Sequence, residues 1–542
     1  MNMQDLALDK LEWPKLTGTL AGLCRTEAGK NTALDLRPTL DTQQISERWQ
    51  LVVPLRDLTA SGYTPPIGEL PLLDSIFRAA KLQQILSGEE FRSLFNLLSM
   101  IKQLHKFAGD FEARCRTLKL FKSRTYPLPN LTLAIEKTVG PEGELLDTAS
   151  PELSRIRSLK INLRKKIEKK IQDVFVEQDM QSYLQDDFFT VRSERYVVPM
   201  KLDGRGRIKG TIFDSSDSGQ TLFIEPAAIA PLNEELMELE LSEKLEILRI
   251  FRELGASVTK ELEVIKDNYR ELIQLDFLTA QGCLARDLNA QAVKITSDSG
   301  FDLKAARHPL LMLQNPAKVI ANDVGFKKDQ STLIISGPNA GGKTVVLKTV
   351  GLLHLMAKAG LLVPADESSQ IFIYNHVYLE LGDSQSLTQS LSTFSGHIQG
   401  LKPILEKASV NDLVLLDELA NGTEPQAGAS IAQAVLEELT DHKVHTVVTT
   451  HYDRLKALAV NDKRFRNGSM EFSTKSLRPT YQLILDVPGQ SYGIEVAEQI
   501  GLTPSVIARA KVLRGTEASA FEELISQLAK EREVLRKLQK EA

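Results

Sequence analysis

At 542 residues the chain has room for several domains, each able to bury its own core. Hydrophobic residues make up 42% and charged residues 25%, with no long low-complexity tract, which excludes a disordered or fibrous protein. The net charge of −5 excludes a global basic footprint, so any nucleic-acid contact has to come from local patches. Cys24, Cys115 and Cys283 lie far apart, form no metal-ligand spacing and read as reduced thiols. The N-terminal MNMQDLALDKLEW lacks the basic-then-apolar pattern of a signal peptide. The most apolar long stretch, Val350 to Val363, is interrupted by His354 and Lys358 and is too short to span a bilayer. A cytoplasmic location without membrane contact is expected.

Residues 1–149 read as a helical core domain. LLDSIFRAAKLQQIL and FRSLFNLLSMIKQL place apolar residues three and four apart, and Pro65, Pro66, Pro71, Pro127 and Pro129 divide them. Ser150-Pro151-Glu152 is a helix start: a capping serine, a proline in the first turn, then an acid. The stripe Leu153, Ile156, Leu163, Ile167, Ile171, Val174 predicts a helix to about Tyr183, roughly 50 Å long at 1.5 Å per residue. Its polar side carries Arg155, Arg157, Lys160, Arg164, Lys165, Lys166, Lys169 and Lys170. Either this is a solvated face or it is an arm facing phosphates, with Lys165, Lys166, Lys169 and Lys170 as the candidate contacts.

Over about 187–228 the period changes to β-branched and aromatic runs divided by Asp203-Gly204, Gly206 and Ser218-Gly219, which is hairpin chemistry. A second helical stretch follows from about Pro231 to Leu288, with an irregularity expected at Gly255. Residues 150–298 therefore predict two long helices packed antiparallel around a small β-rich module. From 299 to 515 the texture is α/β. Beyond it, Phe521, Leu524, Leu528, Leu535 and Leu538 predict the start of a coiled coil over 516–542.

The chemistry concentrates in the α/β part. The apolar run Thr332-Leu333-Ile334-Ile335-Ser336 leads into Gly337-Pro338-Asn339-Ala340-Gly341-Gly342-Lys343-Thr344, a P-loop after a strand and before a helix. Its glycines let backbone N–H groups wrap phosphates, and the helix N-terminus adds positive potential. Lys343 is placed for the β/γ-phosphates of ATP and Thr344 for Mg²⁺. A second apolar run, Asp412 to Leu416, ends in Asp417-Glu418. Asp417 suits a magnesium orienter, and Glu418 suits the group that polarises the attacking water. A third run ends in Thr449-Thr450-His451-Tyr452, where His451 is either structural or a γ-phosphate sensor.

In this order and spelling the three motifs resemble the ATPase domain of the MutS family. The likeness extends to Arg307-His308-Pro309, Ile320-Ala321-Asn322-Asp323, Ser392-Thr393-Phe394, Gly489-Gln490-Ser491-Tyr492-Gly493-Ile494 and GLTPSVIARAK. It implies a homodimer in which Ser392 and Thr393 reach the partner's nucleotide, with a small helical element after Ser491-Tyr492-Gly493 bracing the partner. It also implies that Glu418, Lys343 and His451 act on ATP bound with Mg²⁺. One departure is Ala420, where the family usually has glycine.

Mismatch-reading members of the family begin with a reader domain that carries a Phe-x-Glu wedge and then a connector, whereas here only about 300 residues precede the ATPase motifs and they open directly with the helical core. Ser193-Glu194-Arg195-Tyr196-Val197-Val198-Pro199, Ser218-Gly219-Gln220-Thr221-Leu222-Phe223-Ile224-Glu225-Pro226 and Gln389-Ser390-Leu391-Ser392-Thr393-Phe394-Ser395 resemble the second bacterial MutS branch. That resemblance implies long lever helices carrying a clamp module, with branched DNA or stalled ribosomes as the nucleic-acid partner. Such relatives usually continue into an Smr nuclease domain; the sequence shows none, so no nuclease activity is expected of it. The expected fold is thus a P-loop NTPase domain of the ABC/MutS-like α/β class, joined to an all-α core and lever helices. The competing readings are a mismatch sensor, a metabolic P-loop kinase, which leaves the long helices unexplained, and a scaffold with a silent ATPase, which the intact Lys343, Asp417 and Glu418 oppose.

Overall fold

The computed structural model describes residues 3–178, 189–216, 219–338, 341–381, 393–473, 478–489 and 493–514. They form two compact units. The first joins 1–65, 111–119 and 273–542; the second joins 66–110 and 120–272.

In the first unit a six-stranded sheet runs in the spatial order Val377–Glu380, Leu413–Leu416, His445–Thr450, Thr332–Ser336, Phe465–Ser473, Arg478–Leu485. All neighbours are parallel except the last pair. The strands Thr332–Ser336, Leu413–Leu416 and His445–Thr450 are buried at every position, as a parallel sheet covered on both faces requires. One face packs Ile334, Val414, Leu416 and Val448 against Leu401, Ala432, Leu436 and Leu455 of the helices Thr393–Lys407, Pro425–Asp441 and Asp453–Asn461. The helix Lys343–Lys358 lies on the opposite face, where its Gly351 meets Leu415. A second sheet, Lys294–Thr296, Gln370–Phe372, Phe301–Ala306 and Asn322–Gly325, adjoins in sequence.

The first 65 residues cluster with this α/β part rather than with the helices that follow them. The cause is a set of long-range polar ties: the Trp49 indole donates to Leu361 O at 3.0 Å, Leu40 N to Lys358 O at 3.0 Å and Lys10 pairs with Glu380 at 3.3 Å. The fully buried Asp276 carboxylate accepts from Arg25 N, Thr26 N and the Thr26 hydroxyl at 2.6–3.1 Å, fixing the start of the helix Glu27–Leu34. Asp276→Ala strands these donors and is expected to cost about 3 kcal/mol or more, read as a lowered urea midpoint. An unchanged midpoint would show that water replaces the carboxylate.

An aromatic–histidine cluster fills the space beside the P-loop helix. His354 lies 4.8 Å from Phe301 and 5.3 Å from Tyr374, while His445 lies 5.0 Å from Phe326 and 5.6 Å from Tyr374. Burial pushes His354 and His445, and separately His308, down to about 4. They are neutral in the fold, whereas the unfolded chain protonates them near pH 6.5. The unfolded state therefore binds more protons between about pH 6.5 and 4. Stability is full above that window and falls by about 1.4 kcal/mol per pH unit per histidine within it. A melting temperature flat from pH 7 to 5 would contradict this.

In the second unit the helix Pro151–Gln178 packs antiparallel against the helix Ala230–Lys260. Between them in sequence lies an antiparallel sheet ordered Thr190–Arg192, Arg195–Lys201, Thr221–Pro226, Gly210–Ser215. Their common core contains Leu163, Ile167, Ile171, Val198, Met200, Ile224, Leu232 and Leu236. Ser150 caps the first helix, accepting from Leu153 N at 3.0 Å while donating to Glu246 at 2.7 Å. The second helical stretch does not break at Gly255; it breaks at Glu261, separating Ala230–Lys260 from Leu262–Asp287. Gly255 keeps its place in the helical ladder, with no neighbour within 4 Å to exploit its missing side chain.

The basic run divides. Arg157 and Lys160 bind Glu243 at 2.8 and 2.6 Å, and Arg164 binds Glu240 at 3.2 Å. Lys165, Lys166, Lys169 and Lys170 remain exposed. The expected coiled coil over 516–542 lies outside the described residues. Among the described residues no helix is long and apolar enough to cross a membrane.

Candidate nucleotide site

The site sits at the carboxyl ends of the central parallel strands, where an open α/β sheet leaves room for a ligand. Thr332–Ser336 holds the centre, hydrogen-bonded on one side to His445–Thr450 and on the other to Phe465–Ser473. The chain leaves this strand through Gly337 at φ 136°, where a Cβ would lie 2.9 Å from Met470 Cβ. It enters the helix through Gly342 at φ 91°. Both conformations favour glycine, and no side chain caps the amides of the helix Lys343–Lys358. These amides and the positive end of the helix could receive a phosphate. Pro338 and Gly341 lie on the described path, whereas Asn339 and Ala340 lie outside the described residues.

Lys343, at the first helical turn, is buried; its Nζ donates to Gly337 O at 2.8 Å and lies 3.4 Å from His451 Nε2. Burial pulls its ammonium down to about 8, against the opposing pull of Glu418 and Asp417. The Thr344 hydroxyl donates to Asp417 Oδ2 at 2.8 Å, and Thr449 donates to the other oxygen, Oδ1. Thr344 and Asp417 bring two hard oxygen donors together, a pair that could hold a Mg²⁺ ion beside substrate phosphates. Among the described residues no cluster of three or more His, Cys, Asp or Glu is gathered for a metal.

Glu418 follows at φ 49°, with its amide donating to Thr449 Oγ1 at 2.9 Å. Its carboxylate lies 2.9 Å from His451 Nε2 and accepts from Asn421 Nδ2 at 3.0 Å. Burial raises the Glu418 pKa, but His451, Asn421 and Lys343 outweigh it and hold the group below its ordinary value. An ionised carboxylate at a strand end, in a backbone conformation of low population, is a place where strain and function coincide. Ala420 also takes a positive φ, 60°, while its carbonyl accepts from the Tyr452 hydroxyl at 3.0 Å. A family glycine fits that position without the roughly 1–2 kcal/mol cost of a Cβ there.

Lys343, Thr344, Asp417, Glu418 and His451 thus converge. Thr393 opens the helix Thr393–Lys407, and Ser392 lies outside the described residues.

Three further features carry little sequence signal. Asn421 positions Glu418. Lys456, buried, donates to Gly489 O at 2.9 Å, and Gly489 N donates to Ser336 Oγ at 2.9 Å, tying Gly489 to the P-loop strand. A pocket of about 310 Å³ beside Gly342 is lined by His308, Val319, Ile320, Asn322, Val345 and Tyr481, a largely apolar space fit for a flat heteroaromatic ring. Asn322 holds its wall by bonding Tyr481 O at 3.0 Å and Leu483 N at 2.6 Å. The Arg-His-Pro and Ile-Ala-Asn-Asp segments were its only trace in the sequence.

The fold and the site define a P-loop, ATPase-like protein of the MutS class, and the model of MutS domain V matches residues 333–516. Over 97% of its length the chain is 38% identical to the Endonuclease MutS2 of Clostridium perfringens (strain ATCC 13124), covering 66% of that protein. It is 38% identical to the Endonuclease MutS2 of Caldanaerobacter subterraneus over 98% of the chain and 67% of the relative, and 37% identical to that of Carboxydothermus hydrogenoformans over 99% and 68%. The chain belongs to the MutS2 family, and it spans about two thirds of the length of these relatives.

Proposed function

We infer that the protein hydrolyses ATP with Mg²⁺ and uses the cycle to close a homodimeric clamp on nucleic acid. The observation that carries this reading is the convergence of the Thr344–Asp417 pair and the His451–Glu418 pair beside Lys343. Lys343 and the helix amides hold the phosphates, Thr344 and Asp417 hold the metal, Glu418 takes the proton of the attacking water, and His451 senses the γ-phosphate. The bound metal supplies charge neutralisation between the phosphates. The pocket at Tyr481 receives the base. Ser392 and Thr393 are assigned to the partner's nucleotide. The antiparallel helices over 150–298 are the levers, and the sheet between Thr190 and Pro226 is the clamp module. Moving such a clamp from mostly open to mostly closed takes about 5 kcal/mol of differential ATP affinity, within reach of several charge-assisted bonds.

Branched DNA and stalled ribosomes offer the same backbone charge to Lys165, Lys166, Lys169 and Lys170. The deciding experiment is sedimentation of Glu418→Gln with DNase-treated ribosomes and, separately, with four-way DNA junctions, with and without ATP. ATP-dependent binding to one of them assigns the partner, and binding to neither removes nucleic acid from the reading. On whichever binds, reversing the four lysines is expected to weaken affinity and reduce the salt slope by about one per lost phosphate contact. An unchanged slope makes the lysines a solvated face.

A further inference from the structure

The helix Ala230–Lys260 buries Leu232, Leu236, Ile250 and Leu254, yet it carries a second apolar stripe on another side. Met237, Leu241, Leu245 and Leu248 are 37%, 60%, 59% and 43% exposed. Single exposed apolar side chains are ordinary on a protein surface; four in one row are not. Glu234 precedes this row and Arg252 follows it, and successive members of the six lie three or four residues apart, the spacing of a coiled-coil seam. The row is about 27 Å long. Glu240, Glu243 and Glu246 point elsewhere, to Arg164, to Arg157 and Lys160, and to Ser150 and Arg249. Glu234 and Arg252 are exposed and make no ion pair among the described residues.

The row reads the same from both ends. Turned end for end, Glu234 falls opposite Arg252, Met237 opposite Leu248 and Leu241 opposite Leu245, all within one residue of a common midpoint at position 243. An isologous two-fold contact requires such self-complementarity, and it places opposite charges at both ends of an apolar centre. We propose that this face docks antiparallel on the same face of a second copy of the chain. The seam is short for a stable dimer interface and forms a weak contact. Because the two helices run in opposite directions, it turns the two β-rich modules to opposite ends, so the copies it joins are not the two that close one clamp. It does not depend on the nucleotide site.

The test uses the full chain without nucleotide, so that ATP-driven pairing does not contribute. Glu234→Cys and Arg252→Cys are purified separately, mixed in equal amounts and treated with a short bismaleimide. The unsubstituted chain serves as background for Cys24, Cys115 and Cys283. Covalent dimer in the mixture is expected to exceed that of either variant alone and that of a Glu235→Cys plus Arg252→Cys mixture, since Glu235 is exposed but off the seam. Equal yields overturn the proposal. So does protection of both cysteines without cross-linking, which would place another segment, such as 516–542, on the face. In sedimentation equilibrium, Glu234→Arg is expected to raise the dissociation constant of this helix-to-helix association about three- to tenfold, because two like-charge contacts replace two pairs. Glu234→Arg combined with Arg252→Glu restores it, and failure of that rescue also overturns the antiparallel register.

Discussion

Replacing Glu418 by glutamine is expected to lower ATP turnover by about 10²–10⁴-fold, the usual worth of a positioned general base. Affinity for ATP should change little. Glutamine keeps the size of the side chain and can still accept from Asn421, so the loop Glu418–Gly422 retains its shape. What is lost is the negative charge that His451, Asn421 and Lys343 hold ionised across neutral pH. Steady-state phosphate release and nucleotide binding, measured on the same preparation, separate the two effects. A loss of turnover below about tenfold would show that another group activates the water. Parallel loss of binding and turnover would make Glu418 a binding residue instead.

Lys343→Ala is expected to weaken binding of ATP with Mg²⁺ by about ten- to a hundredfold, the worth of a charge-assisted hydrogen bond to phosphate. The substitution also frees Gly337 O and opens space at the first turn of the P-loop helix. Lys343→Met, which keeps the apolar stem, controls for that packing loss. Equal losses of affinity in both variants, with little change in thermal stability, assign the effect to the ammonium. A change in affinity under threefold in the methionine variant would remove Lys343 from the phosphates.

Much of this site was legible in the sequence because its information is local. A strand, a glycine turn and a helix start place Lys343 and Thr344 within one short segment, and Asp417-Glu418 ends a strand whose apolar run shows its burial. Ser150 could be read as a cap for the same reason. The pairing of strands was not local. Nothing in Thr332–Ser336 reveals that its neighbours are His445–Thr450 and Phe465–Ser473. The basic helix is the sharpest case. Its charges left a solvated face and a phosphate-facing arm equally open, and neither reading foresaw that Arg157, Lys160 and Arg164 are matched by Glu240 and Glu243, some eighty residues away on the returning helix. The break at Glu261 carries no glycine or proline, whereas Gly255, which does carry a signal, stays helical because nothing in its surroundings pulls the backbone out. The first 65 residues look like ordinary bundle helices; only bonds such as Trp49 to Leu361 assign them to the α/β unit.

The central place of Thr332–Ser336 has a consequence for how the molecule is made. This strand is synthesised before both of its neighbours, which lie more than a hundred residues downstream. Parallel pairings over such separations form slowly and late. As the chain emerges, the glycine turn after this strand waits without walls until Phe465–Ser473 has left the ribosome and closed the sheet on its second side. On the proposed reading, ATP therefore cannot template the early stages of folding and meets a competent site only when the sheet is nearly complete. The nascent chain spends that interval with apolar strand edges exposed, the period in which it most needs protection from aggregation.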